Sequence, residues 1–276
     1  MRKAKDKALK FLMSLCAAVT CLLLLGLIGY LLYRGIPGIN AKFLTTQTSY
    51  ISDSIGILPN ILNTLYLIVL VMIIVVPLGV GAAVYLTEYA SNKRISNAVG
   101  FAVETLTGIP SIIFGLVGML FFTQILGLRQ GILAGSLTLI IMVLPTVISN
   151  TKESLLAVPQ SYREGALALG SGKWHMVRTV VLPNAVDGIV TGCILAVGRV
   201  VGESAALLFT AGFGLKLLGF AEALQSSAAS LTVALYIYAS EEGKFDVAFS
   251  IAVILICITL IINLAASLVG KKVRKI

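Results

Sequence analysis

Two residues of opposite charge stand inside a long apolar run, Arg199 and Glu203 in Ile194-Leu-Ala-Val-Gly-Arg-Val-Val-Gly-Glu-Ser204. A guanidinium offers a planar fork of donors suited to a tetrahedral oxyanion, and a nearby carboxylate can hold that fork or exchange partners with it. The i, i+4 spacing puts both on one helix face, so they can equally pair and neutralise each other, and the two arrangements are compatible. Counted from the start of its run, Arg199 lies roughly 15 Å in, near the midplane of a hydrocarbon core of about 30 Å. A central Arg costs about 2.5–3.5 kcal/mol there, so it needs a bundle interior or a water-filled path.

A second group of polar residues surrounds Gly108-Ile109-Pro110 in another apolar run. Gly and Pro break helical backbone, and broken backbone is tolerated in a membrane only where protein or water covers it. Thr105, Thr107 and Ser111 can supply hydroxyls to a path at that depth, although bonding to the preceding turn is the commoner fate of such residues. Glu104, about two turns from the edge of its run, can reach the interface or a partner chain. Covalent chemistry has no matching constellation. The single His175 sits beside Trp174 in a loop, and no Ser-His or paired-Asp arrangement occurs in the runs, so an intramembrane enzyme is disfavoured and no catalytic residue is assigned. Cys16, Cys21, Cys193 and Cys257 lie within apolar runs without metal-ligand spacing and read as small core residues, so no metal site is assigned.

The elements that must hold these residues are membrane helices. Of 276 residues, 58% are hydrophobic and 12% charged, too little polar surface for a water-soluble globule. Six apolar runs are long enough to cross, at about 11–32, 61–86, 98–122, 132–149, 189–209 and 247–269, and Pro77 and Pro145 within them read as kinks. Residues 1–10 form a basic N-terminus, and 11–276 a single transmembrane domain. The first run exceeds a signal peptide's apolar core and has no clear cleavage site, so it reads as a retained helix. With six crossings, fifteen basic residues fall on the side of the two termini and five on the other, placing both termini in the cytoplasm. The same distribution, with few aromatics among the charges, argues against nucleic acid and for membrane lipid as the surroundings. The stretch 215–239 is moderately apolar but carries Lys216 and Glu222. A crossing there would move the basic tail outside, so it reads as an external, partly inserted, gate-like segment.

The longest cytoplasmic connection, 150–187, reads as a helix, a turn at Gly170-Ser171-Gly172, and a second helix that Leu182-Pro183 stops. Gly170-Ser-Gly-Lys173 is no phosphate-binding loop, because Leu167 and Trp174 stand where that motif needs Gly and Ser or Thr. The chain therefore cannot bind a nucleotide through that motif.

Glu164-Gly165-Ala166, Gly170 and Val180-Val181-Leu182-Pro183 resemble the cytoplasmic signature of ABC-importer permeases, Glu-Ala-Ala, three residues, Gly, nine residues, Ile-x-Leu-Pro, with Gly165 and Val180 as its departures. The Gly-Arg-x-x-Gly-Glu segment around Arg199, Gly108-Ile-Pro-Ser111 and Asn63-Thr64-Leu65-Tyr66 resemble the phosphate-specific branch of that family, the A-type permease more than its C-type partner. The resemblance implies an all-α integral membrane protein with the six-helix type I ABC importer permease fold, in a bacterial-type plasma membrane. It implies that Glu164, Gly165, Ala166, Gly170, Leu182 and Pro183 dock an ATPase, and that Arg199, Glu203, Thr107, Ser111 and Glu104 line a phosphate path. Implied partners are a second homologous permease chain, two copies of a cytoplasmic ATPase that binds ATP and Mg, and an external phosphate-binding protein; no cofactor is expected in this chain. Sulfate, molybdate or another oxyanion stays open as cargo, and a passive channel would not need the docking loop.

Overall fold

In hydrocarbon a chain segment can satisfy its backbone only internally, and the apolar runs accordingly form helices. The computed structural model describes residues 2–49, 54–90 and 92–273; the tail residues Arg274 and Lys275 of the charge count lie outside them. Helix α1 (Arg2–Gly35) extends beyond the run at 11–32 and is exposed along most of its length, with Leu22, Leu23 and Leu25 all more than 60% open. A helix this apolar and this bare belongs in lipid or against another chain. A short helix α2 (Ala41–Thr45) and an antiparallel pair, β1 (Gln47–Ser49) and β2 (Ser54–Ile57) in register Gln47↔Ile57, follow, a small addition to the all-helical expectation.

Helix α3 (Leu58–Val84) opens with Pro59 in its first turn, where the missing N–H costs nothing, and continues as a π-helical turn over Tyr85–Tyr89. The next run is not one straight crossing. α4 (Lys93–Gly108) and α5 (Ser111–Gly118, continued by a π-helical stretch Met119–Ile125) meet at an angle of 101°. Pro110 causes the bend: its ring drives the preceding residue out of the helical region, and Ile109 is extended at φ −75°, ψ 130°.

Helix α6 (Ile132–Leu156) runs one to two turns past the expected end at 149, and α7 (Gln160–Ala168) follows. Helix α8 (Lys173–Met176) then passes through a π-helical turn, Val177–Val181, straight into α9 (Leu182–Gly202). Leu182-Pro183 therefore does not stop the helix. The widened turn just ahead of Pro183 makes room for a residue with no N–H and a bulky ring, so a 30-residue apolar rod forms from Lys173 to Gly202. The expected run at 189–209 is instead cut after Gly202. Glu203 is extended at φ −81°, ψ 121°, and a separate helix α10 (Ala205–Thr210) follows.

Beyond a turn at Gly212 the chain folds back on itself through α11 (Phe220–Ala223) to α12 (Leu231–Tyr236), which a π-helical turn carries to Glu241, and α13 (Phe245–Val273) closes the chain. At 1.5 Å per residue, α12 with its extension covers only about 16 Å, and it does not qualify as a crossing. The segment before it is stitched down: Ala228 N donates to Ala211 O (2.9 Å), Ala229 N to Gly214 O (2.8 Å) and Leu133 N to Leu224 O (3.2 Å).

The central core joins α3, α6 and α9 through Leu67, Val71, Val75, Leu139, Met142, Val143, Val197 and Val200. Small residues let the helices meet closely. A methyl group on Gly192 would lie 2.8 Å from Asn150 Cβ, and one on Gly115 would lie 2.7 Å from Ala206 Cα, a backbone atom that cannot swing away. Gly115→Val should thus force α5 off α10 and destabilise the fold by about 1–3 kcal/mol. Thermal unfolding of the purified chain in detergent checks this; a midpoint equal to wild type would show that the two half-helices do not depend on that contact.

Candidate functional site

Two extended breaks, at Ile109-Pro110 and at Glu203-Ser204, each release a short helix, and the two short helices α5 and α10 pack on one another through Gly115 and Ala206. Arg199 lies one turn before the second break. Its guanidinium is half-buried, and among the described residues it makes one side-chain hydrogen bond, from Nη1 to Thr146 Oγ1 on α6 at 3.4 Å. A cavity of about 260 Å³ lies at the same end of α9, lined by Gly198, Gly202, Thr232, Leu255 and Thr259, and Arg199 is not part of its lining.

The pairing of Arg199 with Glu203 that their spacing permits does not form. Because the helix ends at Gly202, Glu203 leaves the face it would have shared with Arg199. It is 8% exposed, and its Oε1 accepts from the Ala206 N–H at 2.9 Å, so it caps α10. Its backbone carbonyl accepts from Thr232 Oγ1 of α12 at 2.8 Å. The carboxylate thus services the broken backbone, and the guanidinium keeps most of its donors uncommitted.

The α4–α5 residues are arranged differently from the expectation. Thr107 Oγ1 donates to Glu104 O (2.7 Å) and Val103 O, and Thr105 Oγ1 to Phe101 O (2.7 Å), the local bonding common to hydroxyls in membrane helices. Glu104, Thr107 and Gly108 are exposed, and Ser111 is half-buried at the start of α5. Among the described residues no hydrogen bond or ion pair joins any of them to Arg199 or Glu203; the α5–α10 packing and the shared central core link the two breaks.

Thr146, the residue that holds Arg199, was not singled out in the sequence. Its signal is the i, i+4 series Thr146, Asn150, Ser154 along α6, in which Asn150 Nδ2 donates to Thr146 O (2.8 Å) and Ser154 Oγ to Asn150 O (2.6 Å). The upper part of this stripe faces Gly192 and the lower part Gly188 of α9. Asn60, Asn63 and Thr64 also have a definite task. Both amides donate to Ala229 O, at 3.0 and 3.1 Å, and Thr64 Oγ1 accepts from Leu231 N at 2.9 Å, pinning the folded-back segment to α3.

At the other end of the bundle, α7 presents Glu164, Gly165, Leu167, Ala168 and Leu169 outward, with Leu169 91% exposed and open space beside Gly165. Gly170, at φ +79°, ends the helix in a left-handed turn that donates to Leu167 O, and Ala166 turns inward. Leu182 packs against the cluster of Ala83, Val84, Leu155 and Val177 instead of joining the exposed face, and Pro183 is exposed on α9. Replacing Glu203 by Ala would leave the buried Ala206 N–H unpaired and cost about 1–3 kcal/mol, whereas Glu203→Gln keeps an acceptor and should cost less than half of that. Thermal melts of the two variants in detergent compare them directly; equal losses would mean that charge, not the cap, is what matters at Glu203.

Comparison with known proteins shows the family and the fold. Residues 75–275 match the family model described as binding-protein-dependent transport system inner membrane component. The chain is 36% identical to the probable ABC transporter permease protein YqgI of Bacillus subtilis, over 99% of this chain and 98% of that one. It is 35% identical to the phosphate transport system permease protein PstA of Xylella fastidiosa, over 66% of this chain and 63% of that one. Among solved structures it resembles a chain of the bacterial alginate ABC transporter in complex with its alginate pentasaccharide-bound periplasmic protein, with a TM-score of 0.69 at 17% identity, covering 99% of this chain and 98% of that one. With its broken apolar helices and its exposed α7, the chain belongs to the binding-protein-dependent transport system inner membrane components, the multi-span permease subunits of ABC importers, whose ATPase is a separate chain.

Proposed function

We propose that this permease carries inorganic phosphate. The observation that carries the reading is Arg199: a half-buried guanidinium beside a helix break, held by one long hydrogen bond and free of its neighbouring carboxylate. Such a fork can give two donors to a tetrahedral oxyanion while Thr146 fixes its direction. The likeness to a PstA phosphate permease supports phosphate within the oxyanions; sulfate and molybdate are the competing cargoes. In this reading Glu203 acts as the keeper of the α9–α10 break, not as the orienter of Arg199. The face of α4 and α5 that carries exposed Glu104 and Thr107 and half-buried Ser111 meets a second permease chain that completes the path.

The same reading seats one cytoplasmic ATPase on the exposed face of α7, through Glu164, Gly165 and Leu169, with a second copy on the partner permease. Both termini then lie in the cytoplasm, and the folded-back segment around Lys216 and Glu222 faces an external phosphate-binding protein. ATP and Mg belong to the ATPase.

Reconstitution with the partner permease and ATPase in liposomes, supplied with phosphate-loaded binding protein, should give ATP-dependent uptake of labelled phosphate over sulfate. Arg199→Ala should reduce that uptake at least about tenfold in a complex that still assembles, the loss expected for a charge-assisted contact. Sulfate uptake in place of phosphate would discard the cargo, and unchanged phosphate uptake by the variant would discard the role of Arg199. Gly170→Val places a β-branched side chain at φ +79° and should weaken copurification of the ATPase, whereas retention at wild-type stoichiometry would remove the docking assignment.

A further inference from the structure

Arg163 is the most heavily engaged side chain in the described part of the molecule. Its Nε and Nη2 donate to Glu88 Oε1 at 3.0 and 2.9 Å, Nη1 donates to Val158 O at 2.6 Å, and Nη2 also reaches Leu155 O at 2.7 Å. Glu88 belongs to the π-helical turn that ends α3, Leu155 and Val158 to the end of α6 and the link after it, and Arg163 itself to α7. One guanidinium therefore ties the ends of two long helices to the short helix that stands exposed beyond them. The pair is buried, with side-chain exposures of 11% for Arg163 and 6% for Glu88, unlike the open pair Arg34–Asp246 at 44% and 82%.

Burying an ion pair gains little net stability, because desolvation cancels most of the attraction, and a well-packed apolar pair serves a core as well or better. What a forked guanidinium with four hydrogen bonds supplies is direction: it fixes three chain segments in one relative geometry. Apolar contacts around it, Ala83 and Val84 of α3 with Leu155, Val158 and Ala166, hold the segments together but are non-directional.

We propose that Glu88 and Arg163 form the strut that transmits displacement of α7 to the ends of α3 and α6, so that movement of a docked ATPase becomes movement of the bundle. Arg163 and Glu88 are positioning residues, not part of the path. This rests on the docking of the ATPase at α7 and is independent of the cargo.

The test uses the assembled complex of both permeases and the ATPase in nanodiscs, with hydrogen–deuterium exchange measured with and without a non-hydrolysable ATP analogue. In the wild type the analogue should change exchange in α7 and at the ends of α3 and α6 together. Arg163→Lys keeps the charge but loses the fork. It should keep the ATPase bound and the change within α7, while the change at residues 83–89 and 150–158 falls at least about threefold. Glu88→Gln, which keeps an acceptor oxygen, should fall in the same direction by less and guards against a variant that does not assemble. A purely structural pair would raise exchange equally with and without the analogue and leave the difference between them intact, which would overturn the strut. A wild-type complex with no analogue-dependent change in α7 would overturn the docking assignment and the strut with it.

Discussion

Every break in a membrane helix exposes N–H and C=O groups that lipid cannot satisfy, and this chain is organised around answering that constraint. Glu203 takes the N–H of Ala206, Thr232 donates to the carbonyl of Glu203, and Asn60 and Asn63 converge on the carbonyl of Ala229. Thr64 takes the N–H of Leu231, and Ser227 takes those of Phe213 and Gly214. Ser227 is exposed, but the others lie in otherwise apolar surroundings because irregular backbone passes each of them. The same breaks bring α5 and α10 together and leave Arg199 beside them with donors to spare.

Apolar burial alone could not hold such helices in lipid, where solvent and side chain are equally oily, so close packing has to contribute. The glycines do this work. Gly188 and Gly192 bring α9 against Ser154 and Asn150, Gly79 admits Val147, and Gly118 admits Thr138. Close approach along α6 and α9 is also what puts Thr146 within reach of Arg199.

The rod from Lys173 to Gly202 joins the two ends of the molecule. Its 30 residues amount to about 45 Å of helix, with Arg199 near one end and the turn after α7 at the other. Beside its starting end, Arg163 and Glu88 clamp α7 to α3 and α6. Displacement at α7 therefore has two routes into the bundle, through a rod that ends beside Arg199 and through the clamped ends of its neighbours.

The number of apolar runs, their order, the non-crossing segment 215–239 and the helix–turn–helix of the α7 loop follow from the sequence, because each depends on local hydropathy and on Gly and Pro. The motif around Arg199 was legible for the same reason: an unscreened charge in an apolar run has few places to be. The partner of that charge was not. Spacing put Glu203 beside it, but the helix stops at Gly202, and whether a helix continues through a given Gly depends on the carboxylate cap and on α12 arriving from thirty residues away. Pro183 misled in the opposite sense, since a widened turn ahead of it keeps the rod intact. Arg163 counted in the sequence only as one more basic loop residue. Only the tertiary structure decided that its fork closes on Glu88, seventy-five positions earlier, because nothing in either residue's local context records which helix ends meet.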